Sequence, residues 1–153
     1  MLYQFLLNFV DIFGFLNVFK YITFRTGLSL FTSLIIVLLV GGPFIKYFSN
    51  KKITNPIRND GPEDHIIKKI GTPTMGGVII LFGLLVSVLC WGDLSNISIL
   101  FCIYIAISFG LLGALDDYKK IKYNNSSGIS SKFKILSQIF LAILGVSFFV
   151  YFV

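Results

Sequence analysis

Charge is what this sequence lacks over most of its length. Only 13% of its 153 residues are Asp, Glu, Lys or Arg. No Asp, Glu, Lys, Arg or His occurs in Thr26–Ile45, Ile70–Gly92, Leu94–Leu115 or Ile135–Val153. Each run is close to the ~20 residues a helix needs to cross the hydrocarbon of a bilayer. Helices of a soluble core would show a polar face, so these runs exclude an ordinary soluble domain. The class expected is all-α integral membrane, with four transmembrane helices. Histidine is also scarce: His65 stands alone in a polar loop and reads more simply as solvated than as a ligand. Two cysteines, Cys90 and Cys102, lie near the outer ends of neighbouring spans and could approach each other, but nothing in the sequence fixes their geometry, and buried free thiols are the preferred expectation. Acids are few, and none follows Asp117. The first 19 residues lack the basic start of a signal peptide and carry Asp11 in their middle. Phe5, Leu6, Phe9, Phe13, Leu16 and Phe19 recur near helical period there, which predicts one helix lying at the outer interface.

What charge there is lies between the apolar runs. The net charge of +6 would suggest nucleic acid in a soluble protein, but here it reads as membrane orientation, with no nucleic acid partner. Eleven of the thirteen bases fall in Lys46–Lys69 and Asp116–Lys134, and the link around Asp93 has none. The positive-inside rule places the two basic loops in the cytoplasm and the amino terminus outside. Lys20 and Arg25, at the outer end of the first span, are outvoted.

The chain reads as a single polytopic domain over 1–153. The spans are expected at Thr26–Ile45, Thr72–Trp91, Ile97–Leu115 and Ile135–Val153. Gly41-Gly42-Pro43 should loosen or bend the first. The short turn Gly92-Asp93-Leu94-Ser95-Asn96 makes the second and third antiparallel neighbours. Ala106, Gly110 and Ala114 form a small-residue stripe suited to close packing between them, with Gly76 and Gly83 on one face of the second span.

Two segments carry candidate chemistry. Thr72-Pro73 is a helix-start signal, with Thr74 and Lys69 beside it. A helix start offers free N–H groups and a positive dipole end to phosphate oxygens, although the same pattern also describes a simply capped membrane helix. Asp116-Asp117 closes the third span. Two acids at a helix C-terminus are disfavoured by ~0.3–1 kcal/mol each, so a positive partner is needed. Lys119, Lys120 and Lys122 provide one, and a divalent cation is the other candidate. If the second and third spans pack together, phosphate donors and carboxylates meet at one surface, as phosphoryl transfer requires. Lys132 and Lys134 precede the fourth span, either as anchors or as holders of anionic groups.

Several motifs together resemble a known family. They are Asn17-Val18-Phe19, Thr23-Phe24-Arg25, Arg58-Asn59-Asp60-Gly61-Pro62-Glu63-Asp64-His65, Lys69-x-Gly71-Thr72-Pro73-Thr74-Met75-Gly76-Gly77 and Asp116-Asp117-Tyr118. The whole chain, in order, resembles the amino-terminal part of bacterial phospho-N-acetylmuramoyl-pentapeptide transferase, within the polyprenyl-phosphate sugar-1-phosphate transferases.

The resemblance implies a magnesium-dependent enzyme of about ten spans in the bacterial cytoplasmic membrane, its active face cytoplasmic. Such an enzyme transfers phospho-MurNAc-pentapeptide from its UDP-linked form to undecaprenyl phosphate, giving lipid I and UMP in peptidoglycan synthesis. By match, Asp116 and Asp117 are the catalytic acids and Mg2+ candidates, with Asp116 the better placed to deprotonate or orient the acceptor phosphate. Lys69, Thr74, Lys120 and Lys132 are the substrate-binding candidates. The spacing between His65 and Gly71 is one residue longer than the family pattern. The family's later motifs, including its principal metal-binding aspartate and histidine-rich loop, have no counterpart. The chain alone is therefore expected to be inactive or impaired, with a complementary carboxy-terminal polypeptide or a second copy as protein partner. A related polyprenyl-phosphate N-acetylhexosamine-1-phosphate transferase and a non-catalytic four-span protein are the alternatives.

Overall fold

The computed structural model describes residues 2–51, 75–123 and 128–152. All regular structure among them is helical. The elements are α1 (Leu2–Leu7), a 3₁₀ segment (Gly14–Lys20), α2 (Ile22–Asn50), α3 (Gly76–Trp91), α4 (Ile97–Tyr123) and α5 (Ser131–Phe152). At 1.5 Å per residue, α2, α4 and α5 are roughly 44, 40 and 33 Å long, enough for a hydrocarbon core of ~30 Å. These three are long and apolar enough to cross a membrane. The 16 residues of α3 cover only about 24 Å, so it stands as a shorter apolar helix. Their outward faces carry residues such as Phe31, Leu38, Ile80, Leu111 and Leu136, all exposed. Exposed apolar belts around interacting helices are what lipid, rather than water, requires.

Several boundaries differ from expectation. The amino-terminal stretch is not one helix. It breaks after Leu7, and Phe13 is extended at φ −123°, ψ 92° before the 3₁₀ turns begin at Gly14. The apolar periodicity there survives only in part, with Leu16 buried and Phe15 exposed. α2 runs unbroken through Gly41-Gly42-Pro43. Membrane helices tolerate proline because neighbouring groups re-satisfy the freed backbone. Cys90 is half-buried and Cys102 exposed, so neither thiol is fully buried; both are free.

Specific contacts set the packing. α2 lies against α3 where Gly83 leaves no room: a Cβ there would sit 2.8 Å from Val37 Cγ2 and 3.1 Å from the Ser33 carbonyl. Gly83 therefore faces the first long helix, not the third. Ser29 Oγ and Ser87 Oγ are 3.2 Å apart across this seam, and Ser87 is 2% exposed. Trp91 Nε1 donates to Thr32 Oγ1 at 2.9 Å, and its ring stacks on Phe19. Gly110 of the small-residue stripe packs on Leu81 of α3, as expected. The connecting turn is held by Asp93, whose side chain accepts the Ser95 amide at 3.1 Å. Asn96 then caps α4 by accepting the Ser98 amide at 2.9 Å. α5 joins α4 through Gly145, which lies against Tyr104, and through Tyr104 Oη donating to the Leu141 carbonyl at 3.1 Å. Phe19, Gln4, Trp91 and the 92–96 turn thus gather at one end of the helices. The start of α3, the end of α4 and the start of α5 gather at the other.

Candidate functional site

The acidic pair does not end its helix. α4 continues to Tyr123, about two turns past the charge-free run. Asp116 pairs with Lys120 four residues on, and Asp117 with the same lysine three residues on. An acid placed N-terminal to its base at these spacings stabilises a helix. Lys120 and Lys122 in the last turn also complement the carbonyl end. The cost assigned to acids at a C-terminus therefore does not arise, and the lysines explain why the helix extends beyond its apolar stretch.

The two acids have different surroundings. Asp116 is 6% exposed. Its Oδ2 lies 2.7 Å from Lys120 Nζ and 3.3 Å from Lys134 Nζ. Its Oδ1 accepts the backbone N–H of Ile129 at 2.8 Å. Both oxygens are occupied. Asp117 is about one-third exposed and, among the described residues, pairs with Lys120 alone, through Oδ1 at 3.4 Å. Its other oxygen has no partner among the described residues. Both acids were expected at the catalytic and metal site, Asp116 the better placed; in the structure Asp116 has a partner on each oxygen and Asp117 has one on Oδ1.

The anchor depends on a tight turn. Gly128 has φ +60°, and a Cβ there would lie 2.5 Å from Asp116 Oδ1 and 2.9 Å from Lys120 Cε. Only glycine satisfies both the dihedral and the space. The turn then feeds α5, whose first helical bond runs from the Lys134 amide to the Ser130 carbonyl at 3.0 Å.

A cavity of about 410 Å³ opens at this end. α3 contributes Gly77, Val78 and Leu81 to its wall, and Met75 just before it contributes as well. α4 contributes Gly110, Gly113, Asp116, Asp117 and Lys120, and α5 contributes Lys134. Met75 precedes α3 at φ 66°, ψ 22° with no side-chain cap. A left-handed methionine is uncommon and strained, and such strain collects at functional sites. It also means that the described helix starts at Gly76, four residues after the expected start at Thr72. Asp116, Asp117 and Lys120 are thus brought together as the sequence suggested. Lys132 is exposed and does not line this cavity. Lys69, Thr72, Pro73, Thr74 and His65 lie outside the described residues. Lys134 was named beside Lys132 but not preferred. What separates them is the packing of α5: Lys134 is seven residues before Leu141 and eleven before Gly145, on the face of α5 that meets α4. Lys132, two residues away, points about 200° from it.

Residues 69–81 match the family model for phospho-N-acetylmuramoyl-pentapeptide-transferase signature 1. Four residues of that match, Met75, Gly77, Val78 and Leu81, form the α3 wall of the cavity. Curated relatives carry the likeness along nearly the whole chain. A phospho-N-acetylmuramoyl-pentapeptide-transferase of Pelagibacter ubique is 65% identical over 146 residues, 95% of this chain and 40% of the relative. The protein of the same name from Thermodesulfovibrio yellowstonii is 44% identical over 152 residues, 99% of this chain and 42% of its own length. That of Vesicomyosocius okutanii is 46% identical over 140 residues, 91% and 38% respectively. The chain belongs to the phospho-N-acetylmuramoyl-pentapeptide-transferase family, as its amino-terminal part. It spans about two-fifths of the length of the curated relatives it matches. The apolar helices and these relatives together make it a multi-pass membrane protein.

The family also implies Mg2+. Mg2+ prefers hard oxygen ligands, and commonly uses one or two carboxylates with substrate phosphates and water. Asp117, with its open oxygen, fits that donor set. Asp116 fits it only after exchanging a lysine. Among the described residues no three His, Cys, Asp or Glu side chains converge.

Proposed function

We propose that the chain is the amino-terminal portion of an Mg2+-dependent transferase that moves phospho-MurNAc-pentapeptide from its UDP-linked form to undecaprenyl phosphate. The observation that carries this reading is the cavity itself: signature residues from α3 share it with the acidic pair of α4. An oxygen of the acceptor phosphate bonds to the sugar-linked phosphorus, the bond from that phosphorus to UMP breaks, and lipid I and UMP are formed. Little covalent chemistry falls to the protein in such a displacement; its work is positioning and charge stabilisation.

The residues take roles that follow from their surroundings. Lys120, lining the cavity beside both acids, orients phosphate oxygens. Asp117 is the carboxylate that holds Mg2+ or orients the acceptor phosphate. When bound, the cation would neutralise phosphate charge. Asp116 holds Lys120 and the Gly128–Ser130 turn in register. Lys69, Thr74 and Lys132 remain substrate-binding residues through their match to the family motifs. The basic loops support a cytoplasmic position for this end; the reading takes the membrane to be the bacterial inner membrane, α3 to be one of four spans and the amino terminus to lie outside. In this reading activity also draws on the portion of the relatives' length that this chain does not match, with a complementary carboxy-terminal polypeptide or a second copy of the chain as the protein partner.

The test uses membranes containing the chain, with and without a polypeptide covering the remainder of a relative. Radiolabelled UDP-MurNAc-pentapeptide, undecaprenyl phosphate and Mg2+ are added, and labelled lipid is measured. Lipid that forms only with both polypeptides, and is lost in Asp117→Asn, supports the reading. Labelled lipid from a UDP-N-acetylhexosamine donor instead would assign the related sugar-phosphate transfer.

A further inference from the structure

We propose that a second cavity, shared by Arg25 and Asp93, seats the headgroup of a zwitterionic phospholipid with a primary ammonium, the phosphoethanolamine class. This cavity lies at the end of the helices opposite the acidic pair and takes no part in the phosphate handling described above.

Arg25 and Asp93 are opposite charges that share a space without meeting. The cavity, about 280 Å³, is lined by both residues together with Ile22, Thr26, Ser29 and Trp91. Among the described residues no ion pair joins Arg25 to Asp93. Arg25 Nε and Nη1 are buried and have no hydrogen-bond partner among the described residues. The guanidinium lies over the Tyr3 ring, 3.9 Å from its centroid. A ring face answers part of the charge, but the N–H donors lie in the guanidinium plane and still need acceptors. The nearby hydroxyls are engaged elsewhere: Thr26 Oγ1 donates to the Ile22 carbonyl at 2.9 Å, and Ser29 Oγ to Ser87 Oγ at 3.2 Å. Asp93 accepts the Ser95 amide through Oδ1 at 3.1 Å, and its Oδ2 has no partner among the described residues.

The surroundings select the missing partner. The cavity sits beside the 92–96 turn at the level of Trp91, which stacks on Phe19. Aromatic rings of this kind mark the membrane interface. Phosphate is the acceptor that lipid supplies at that depth, and a guanidinium fork suits it. A purely anionic lipid would bring negative charge up to Asp93 uncompensated. A primary ammonium donates to Asp93 Oδ2 while the phosphate of the same headgroup meets Arg25. A quaternary ammonium has the same charge but no N–H to donate. The apolar wall, with Ile22, Val88 and Ile99, takes the start of the acyl chains.

Trp91 is the sole tryptophan and lines the cavity, so quenching of its emission reports the lipid held there. The whole chain is reconstituted in phosphatidylcholine vesicles. Phosphatidylethanolamine, phosphatidylglycerol or phosphatidylcholine with brominated acyl chains is included at equal mole fraction. Brominated phosphatidylethanolamine should quench Trp91 with an apparent affinity about fivefold above the other two, the size of one net hydrogen bond. Asp93→Asn and Arg25→Gln should each abolish that preference. Arg25→Lys, which keeps the charge, should retain part of it, which separates loss of the charge from loss of the fold. Equal quenching by all three lipids in the wild type would overturn the inference and leave water as the occupant. Stronger quenching by phosphatidylglycerol would overturn it in favour of plain charge attraction. A preference that survives either neutral substitution, or is lost in Arg25→Lys, would also overturn it. So would a preference that vanishes when a tryptophan-free polypeptide covering the remainder of a relative is reconstituted alongside, which would give Arg25 a protein partner instead.

Discussion

Replacing Gly128 with alanine should loosen the α4–α5 junction far more than one methyl group suggests. Two costs add. A non-glycine residue at φ +60° costs ~1–2 kcal/mol. The new Cβ would also lie 2.5 Å from Asp116 Oδ1, so the carboxylate must move away from the Ile129 amide it now accepts at 2.8 Å. Losing a buried hydrogen bond of that kind costs ~1–3 kcal/mol. The sum, about 2–5 kcal/mol, corresponds to a rise in local opening of roughly thirtyfold to several-thousandfold. Asp116 keeps its two lysines, which favours the lower part of that range. Hydrogen exchange at the Ile129 amide, followed by mass spectrometry in detergent micelles, reads the opening directly. Gly128→Asn separates the two costs, because asparagine tolerates the left-handed region but still carries a Cβ. An Ile129 amide that exchanges as slowly in Gly128→Ala as in the wild type would refute the reasoning.

Asp116→Ala should destabilise the folded chain by about 3 kcal/mol or more, because two lysines and a buried amide lose their acceptor. Asp117→Ala should cost less than about 1 kcal/mol, being a partly exposed pair. Reversible unfolding in mixed micelles compares them, and equal losses would contradict the assignment of anchor and open acid. Gly83→Leu should force α2 and α3 apart at Val37 and Ser33 and cost about 1–3 kcal/mol; disulfide trapping between Ser29→Cys and Ser87→Cys, which should form readily otherwise, would report it by failing. Thr32→Val removes the acceptor of the Trp91 indole and should cost about 1 kcal/mol. Trp91 is the sole tryptophan, so its emission should shift in that variant.

The charge-free runs made the helices legible, since lipid leaves a chain few options besides helix. Helix ends were harder to read. α4 runs past Leu115 because Asp116 and Asp117 pair with a lysine on the next turn, a contact that charge counting treats as a loop. The amino-terminal stretch kept its apolar spacing but not its helix, since spacing does not register the extended Phe13 before Gly14. For the site, Asp116 and Asp117 stood out as an acidic pair at the end of an apolar run and Lys120 through the family resemblance, while the short 92–96 turn and the small residues around Gly110 implied that α3 and α4 approach closely. The sequence ranked Asp116 above Asp117 only through the family resemblance; the difference in their surroundings comes from Gly128, Ile129 and Lys134 folding back from the next element. Lys134 over Lys132 was readable only once Leu141 and Gly145 showed which face of α5 meets α4.

Signature residues at the start of α3, from Met75 to Leu81, share one end of the helices with the acids of α4 and should open at one membrane surface. Single cysteines at 75, 95 and 117, placed in a background without Cys90 and Cys102, can be labelled with a membrane-impermeant maleimide in sealed vesicles of known orientation. The account predicts that 75 and 117 react from the same side and 95 from the other. Reaction of 75 and 117 from opposite sides would contradict it.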